Sequence, residues 1–228
     1  MRRGTETTEA AWLVCDHWRR MVEHLGDGAT DRKLRLFAVA CARRTARLWG
    51  GARPLALLEA AERLADGVVP TESVPYICGC GVGTGMHFVH SAAVAALEVR
   101  AERAAELTAA NSASSLGRAA CEPFSYPKRL MVYVETIRAE CVAQVGLLRD
   151  IFGNPFRPVR FSPAWRTSTA VALAAQMYDS GDFSATPILA DALQDAGCDS
   201  EMIQNHCRDP HVTHVRGRWA VDHLLGKE

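Results

Sequence analysis

Residues 186–197 read TPILADALQDAG. Threonine followed by proline opens helices: the hydroxyl can cap a free N–H, and proline's fixed φ suits the first helical position. A glycine just past the last turn closes them. Between these marks Ile188, Leu189, Ala192, Leu193 and Ala196 recur three and four residues apart, giving one apolar stripe. The stretch predicts a short amphipathic helix that must lie against other elements. The same punctuation recurs on both sides of it, so the whole chain reads as helical.

Downstream, Asp199 is placed to cap a helix over SEMIQNHCR, residues 200–208, with Met202 and Ile203 as its apolar contacts. Pro210 stops it. Gly217 and Gly226 bracket a last helix, RWAVDHLL, whose apolar face begins at Trp219. Trp219 and Leu225 are expected to be buried.

Upstream, residues 167–179 form a helix ended by Gly181, and NPFRPV at 154–159 is extended, because each proline restricts the residue before it. Residues 128–151 are helical, with Leu130, Val134, Ile137, Cys141, Val145 and Leu148 as the stripe. Residues 111–127 read as a polar turn region holding Pro123 and Pro127. Residues 86–110 are Ala-rich and helical, with side chains small enough for close helix approach. A further helix covers 54–66, before Gly67.

Residues 31–49 give the clearest helix of the N-terminal half, introduced by Thr30 and stopped by Gly50 and Gly51. Leu34, Phe37, Ala38, Cys41, Leu48 and Trp49 share one arc; Arg32, Lys33, Arg43, Arg44 and Arg47 share another. Residues 5–25 read as one interrupted or two short helices, with Asp16 as a cap for the second piece. No run alternates as a strand does, and no fixed period repeats. The expected fold is all-α, an irregular multi-helix bundle or array. Residues 1–151 form an N-terminal helical region with an irregular loop at 68–85. Residues 152–228 form a C-terminal helical segment packed into the same domain.

Apolar residues make up 48% and charged residues 23% of 228, and 26 Lys/Arg balance 26 Asp/Glu. That balance is ordinary for a globular protein with a real core and gives no electrostatic footprint for nucleic acid. The basic face at 31–49 is therefore expected to pair with acids elsewhere. The opening MRRGTETTEA carries no apolar run of signal type, and no stretch is long and apolar enough to span a bilayer. The expectation is a cytoplasmic protein with no membrane partner and reduced thiols. Its 8 cysteines include Cys41 and Cys141 on predicted helix faces, where Cys acts as a small hydrophobe.

Five pieces carry a resemblance: RKLRLFAVACARR (32–44), LLRDIFGNPFRPV (147–159), PILADALQDAGC (187–198), HCR (206–208) and HVRGRWAVDHLLGKE (214–228). Together they resemble a family of uncharacterised bacterial proteins of planctomycete type that end in HVRGxWxxDxLLGKE. The resemblance covers both ends of the chain and is weak in the middle. It implies no reaction, cofactor or partner. Members of that family often carry Cys immediately before the last Trp, where this chain has Arg218.

No catalytic motif stands out. There is no GxSxG and no protease-type cysteine signature. The glycines of GCGVGTG at 79–85 match neither phosphate-loop pattern and follow no predicted strand. Metal gives the sharpest hypothesis. Cys78-x-Cys80 followed by His87-x-x-His90 could close a tetrahedral Cys₂His₂ zinc site, although the spacing departs from the common hooks. A second group, His206, Cys207, His211 and His214, surrounds Pro210; if the family's Cys were a ligand there, Arg218 would remove it. The tail arginines are expected to tie Asp150, Asp191 or Asp222 to neighbouring loops. The reading that follows is a non-catalytic helical module that binds another protein, with no cofactor. The alternative is a small zinc-binding protein or hydrolase centred on residues 78–90.

Overall fold

A computed structural model describes residues 8–48, 53–70, 92–93, 95–98 and 100–227, apart from the side chains of Arg47 and Arg53. The described residues form ten α-helices and no strand. These are α1 (Glu9–Val14), α2 (Trp18–Leu25), α3 (Asp31–Arg43), α4 (Arg53–Ala65), α5 (Ala101–Cys121), α6 (Lys128–Phe152), α7 (Ser168–Ser180), α8 (Thr186–Asp195), α9 (Glu201–Arg208) and α10 (Trp219–Leu225).

The all-α expectation holds, and its caps show why. Thr30 accepts from the Lys33 N–H at the start of α3, and Thr167 accepts from Ala170 at the start of α7. Gly181, Gly197 and Gly226 each take positive φ just past a helix. Some caps move by a residue. His17, not Asp16, caps α2, its Nδ1 accepting from the Arg19 N–H. Thr186 lies inside the first turn of α8 and donates its hydroxyl to the Phe183 carbonyl at 2.6 Å.

α3 is the central helix, packed against α4, α5 and α6, while α5 and α6 form a long hairpin. Trp12, Trp18, Phe37, Leu148 and Ile151 meet in one core where α1, α2 and α3 cover the inner half of α6. A second core is Ala-rich and lies among α3, α4, α5 and the residues Ala92, Ala93, Ala96 and Leu97. A third gathers Trp165, Tyr178, Leu189, Leu193, Trp219 and Leu224 among α7 to α10.

Several expectations change, among them the helix expected over 31–49, which ends at Arg43, and the one expected over 86–110, whose described part turns at 96–97 before α5 begins at Ala101. Residues 111–121 continue α5 rather than turning. Their small polar side chains are tolerated because Ser112 and Ser115 are buried at close helix contacts, and a Cβ on Gly117 would lie 2.9 Å from the Tyr133 ring of α6. Leu225 is only half buried, because the short α10 turns Ala220, Val221 and Leu224 inward while Trp219 is buried as expected. The α6 stripe does not face a core throughout. Val145 and Leu148 are buried, but Leu130 is 51% and Val134 is 55% exposed.

Buried charge joins the N- and C-terminal parts. Asp66, just after α4, accepts from Arg32, Arg216 and the Tyr178 hydroxyl. Arg32 also grips Asp222 of α10 at 2.6 and 3.1 Å. The basic face of α3 is thus largely engaged: Arg43 pairs with Glu62 at 2.8 Å and Arg44 with Glu140 at 2.8 Å.

Candidate functional site

Asp150 sits in α6 between the buried Leu148 and Ile151 and is itself fully buried. Such a position makes a polar cluster obligatory, since an isolated buried carboxylate is costly. The cluster comes from the segment between α9 and α10. Asp150 Oδ2 accepts the Val215 N–H at 2.8 Å. Its Oδ1 lies 2.9 Å from His214 Nδ1 and 3.2 Å from His206 Nε2. The His206 approach is close but poorly aligned, so it is a polar contact rather than a well-formed hydrogen bond. Burial opposes ionisation of Asp150, but the two imidazoles and the charge of Arg218 outweigh it and hold the carboxyl below its usual range. Burial pushes His206 the other way, below the ordinary histidine value, despite the neighbouring carboxylate.

Arg218 completes the group. Its side chain is entirely buried, with Nε 4.0 Å from Asp150 Oδ1. One terminal nitrogen donates to Thr186 Oγ1 at 2.6 Å and the other lies 3.7 Å from Cys207 Sγ. One guanidinium therefore links α6, α8 and α9. Rings extend the cluster outward: His206 lies against His214 and Trp219 at 5.3 and 5.2 Å between centroids. Trp219 in turn lies on Gly153, where a Cβ would be 3.2 Å from the indole.

Asp150, His206 and His214 place one ligand atom each within 4.8 Å of one another, a donor set that suits zinc. The charge balance argues the other way. The guanidinium of Arg218 already neutralises the only carboxylate of the group, and a dication would have to share Asp150 with it in a low-dielectric site. The cluster fits a hydrogen-bonded lock better than a metal centre.

Cys78, Cys80, His87 and His90 lie outside the described residues. Of the second sequence group, the fold brings His206 and His214 together. Cys207 is buried against Arg218, and His211 is exposed. The anchoring of tail arginines to acids is seen for Arg208 with Asp191 at 2.7 Å, while Asp222 is held by Arg32 instead. The signal for Asp150 as a hub was its place among Leu147, Leu148 and Ile151 in one helical stripe.

Beside the lock opens a groove of about 550 Å³. Arg43, Glu62, Arg63, Phe183, His214 and Arg216 are among the residues that line it. Its charges are mostly matched to each other, as in the Arg43–Glu62 and Arg216–Glu62 pairs, so it presents no single sign to a ligand.

The remaining feature is the outer half of α6. Met131 is 61% and Val142 53% exposed, along with Leu130 and Val134, and Tyr126 just before the helix is 80% exposed. The inner side of this half packs on α5 through Tyr133 and Ile137, which crowd the space above Gly117. The outer side mixes these apolar side chains with the exposed Glu135 and Arg138, and among the described residues nothing covers it.

Comparison with known protein families, with curated proteins and with solved structures finds no match to this chain.

Proposed function

We propose that this chain is a non-catalytic helical module that works by binding a protein through the outer face of α6. The observation that supports the reading is the row of large apolar side chains, Leu130, Met131, Val134 and Val142, left in solvent on a regular helix. Scattered single apolar residues at a surface are ordinary, whereas Leu130, Met131 and Val134 cluster within about one turn, with Val142 two turns further on, and such a cluster suits an interface. The rest of α6 is held firmly, by the Asp150 lock at its C-terminal end and by Arg44 on Glu140 near its middle. A rigid helix presenting an apolar face binds without a large ordering cost.

The experiment is site-specific photo-crosslinking in the native cell. A photoreactive residue at position 131 is expected to give one discrete adduct, and one at the exposed Ile188 of α8 none. The same smear of adducts at both positions, or none at 131, overturns the reading.

A further inference from the structure

The outer face of α6 has a pattern that names its own occupant. Met131, Glu135, Arg138 and Val142 are spaced four, three and four residues apart, so they fall within one arc of roughly 60° at 3.6 residues per turn. All four are exposed. The order along the helix is apolar, acidic, basic, apolar. Reversing the direction of a second identical helix puts Met131 opposite Val142, Glu135 opposite Arg138, Arg138 opposite Glu135 and Val142 opposite Met131. Spacing of this kind is the seam of two helices packed knobs into holes, and in an antiparallel pair the two seam positions face each other across the axis. Few partner sequences would satisfy both the charges and the apolar ends, and this chain satisfies them with itself.

We infer that the chain forms a two-fold symmetric dimer in which α6 packs antiparallel against α6 of a second copy, centred between Glu135 and Arg138. The inference rests on the proposed binding role of this face and names the partner. A two-fold axis at that point makes the contact isologous: each side contributes the same residues, and the interface closes without leaving a free end. The two Glu135–Arg138 pairs set register and direction, and Met131 with Val142 supplies the apolar burial at each end. The seam is short, so the dimer is expected to exchange with monomer rather than be obligate.

Sedimentation equilibrium of the full chain tests this. Wild type is expected to approach twice the chain mass of 24.8 kDa with rising concentration. Met131→Asp is expected to stay at the single mass with an unchanged circular dichroism spectrum, since it alters an exposed side chain. Glu135→Arg alone and Arg138→Glu alone each put like charges across the seam and are expected to weaken dimerisation by about tenfold or more. Mixing those two variants is the decisive arm. One copy then carries two arginines and the other two glutamates at these positions, so the mixed pair is complementary at both contacts and should recover the dimer. A chain that stays monomeric throughout overturns the inference, as does a dimer indifferent to all three substitutions or a mixture that does not recover. If the chain is monomeric but position 131 still gives a discrete adduct to a different protein, the partner named here is wrong and the binding role of α6 stands. If both fail, the binding role falls too.

Discussion

At Gly217 the backbone takes a φ of +88°, and a Cβ there would lie 2.5 Å from Leu36 Cδ1. Both the conformation and the space exclude a side chain, so Gly217→Ala should cost about 2–4 kcal/mol in chemical denaturation. Gly226 also has positive φ, but its nearest neighbour is the mobile guanidinium of Arg166 at 3.2 Å. Gly226→Ala should cost only about 1 kcal/mol; equal costs at the two sites would show that the contact with Leu36 is not tight. Next to Gly217, Arg218 offsets a carboxylate that water cannot reach. Arg218→Ala should cost about 3–5 kcal/mol, because it leaves Asp150 buried without its cation. The cluster also sets the acid response. His206 is held neutral, below the ordinary value of 6.5. Its contribution is therefore complete above 6.5 and is lost as pH falls from there toward its folded value. Asp150, depressed below 3.8, keeps its contribution above that value and loses it only as pH falls through its lower folded value. Asp222, raised by burial, has the opposite sign: its contribution is complete at low pH and is lost as pH rises through its folded value. Softening on acidification should thus begin with His206. The melting temperature is expected to drop between about pH 7 and about pH 5, and to drop less in His206→Phe. If the two slopes match, His206 is not the group that titrates. Zinc should leave the melting temperature unchanged; a rise that His214→Ala removes would give the cluster to a metal.

Single helices show where sequence patterns are sufficient and where they are not. α7 was legible because its Thr167 cap and terminal Gly181 agree, and α8 because its stripe and Gly197 do, whereas α3 keeps its Thr30 cap but ends at Arg43, short of its expected stop. The continuation of α5 past residue 110 was not legible, because Asn111, Ser112, Ser114 and Ser115 have turn-like chemistry when taken alone. Only the neighbouring α6 shows that small residues are needed there. α6 itself was found, but periodicity gives a face without saying what covers it. A helix of 25 residues runs about 37 Å, longer than the part that α2 and α3 cover, so one stripe is core at Leu148 and surface at Leu130. Leu148→Ala should therefore cost about 2–5 kcal/mol, while Leu130→Ala in monomeric protein should stay within about 0.5 kcal/mol. A large loss at Leu130 would mean that this end of the helix is covered. The Asp150 lock was less legible still. Asp150 and His214 are 64 positions apart, and nothing local in either predicts the other. The CxC and HxxH residues attracted attention because they are close in sequence, whereas the described titratable cluster is close only in space.

At the scale of the whole molecule, two buried polar clusters among the described residues connect the part before residue 152 to the part after it, beside the more exposed contacts of Glu9 with Asn154 and Arg157. One is the Asp150 lock. The other is the group of Arg32, Asp66, Tyr178, Arg216 and Asp222. In it the Tyr178 hydroxyl is pushed up to about 12 by burial and by Asp66, with Arg216 and Arg32 working against the shift. That hydroxyl stays a donor at neutral pH, and Asp66, held low mainly by Tyr178 against the effect of burial, stays its acceptor. The apolar cores are separate: Trp12 and Trp18 belong to one and Trp165 and Trp219 to another. Polar ties between separate cores are what would make them unfold together, since each charge left behind by a departing partner would be buried without compensation. Variants keeping only Trp12 and Trp18, or only Trp165 and Trp219, should give coincident denaturation midpoints on the wild-type background. Introducing Arg32→Ala with Asp66→Ala should separate them, with the C-terminal tryptophans reporting a transition of their own. Midpoints that remain coincident after the double substitution would leave the coupling to the Asp150 lock, the Glu9 contacts and the packing of Phe156 and Val215 on the first core. Midpoints already separate in the parent would mean that neither tie joins the two cores into one cooperative unit.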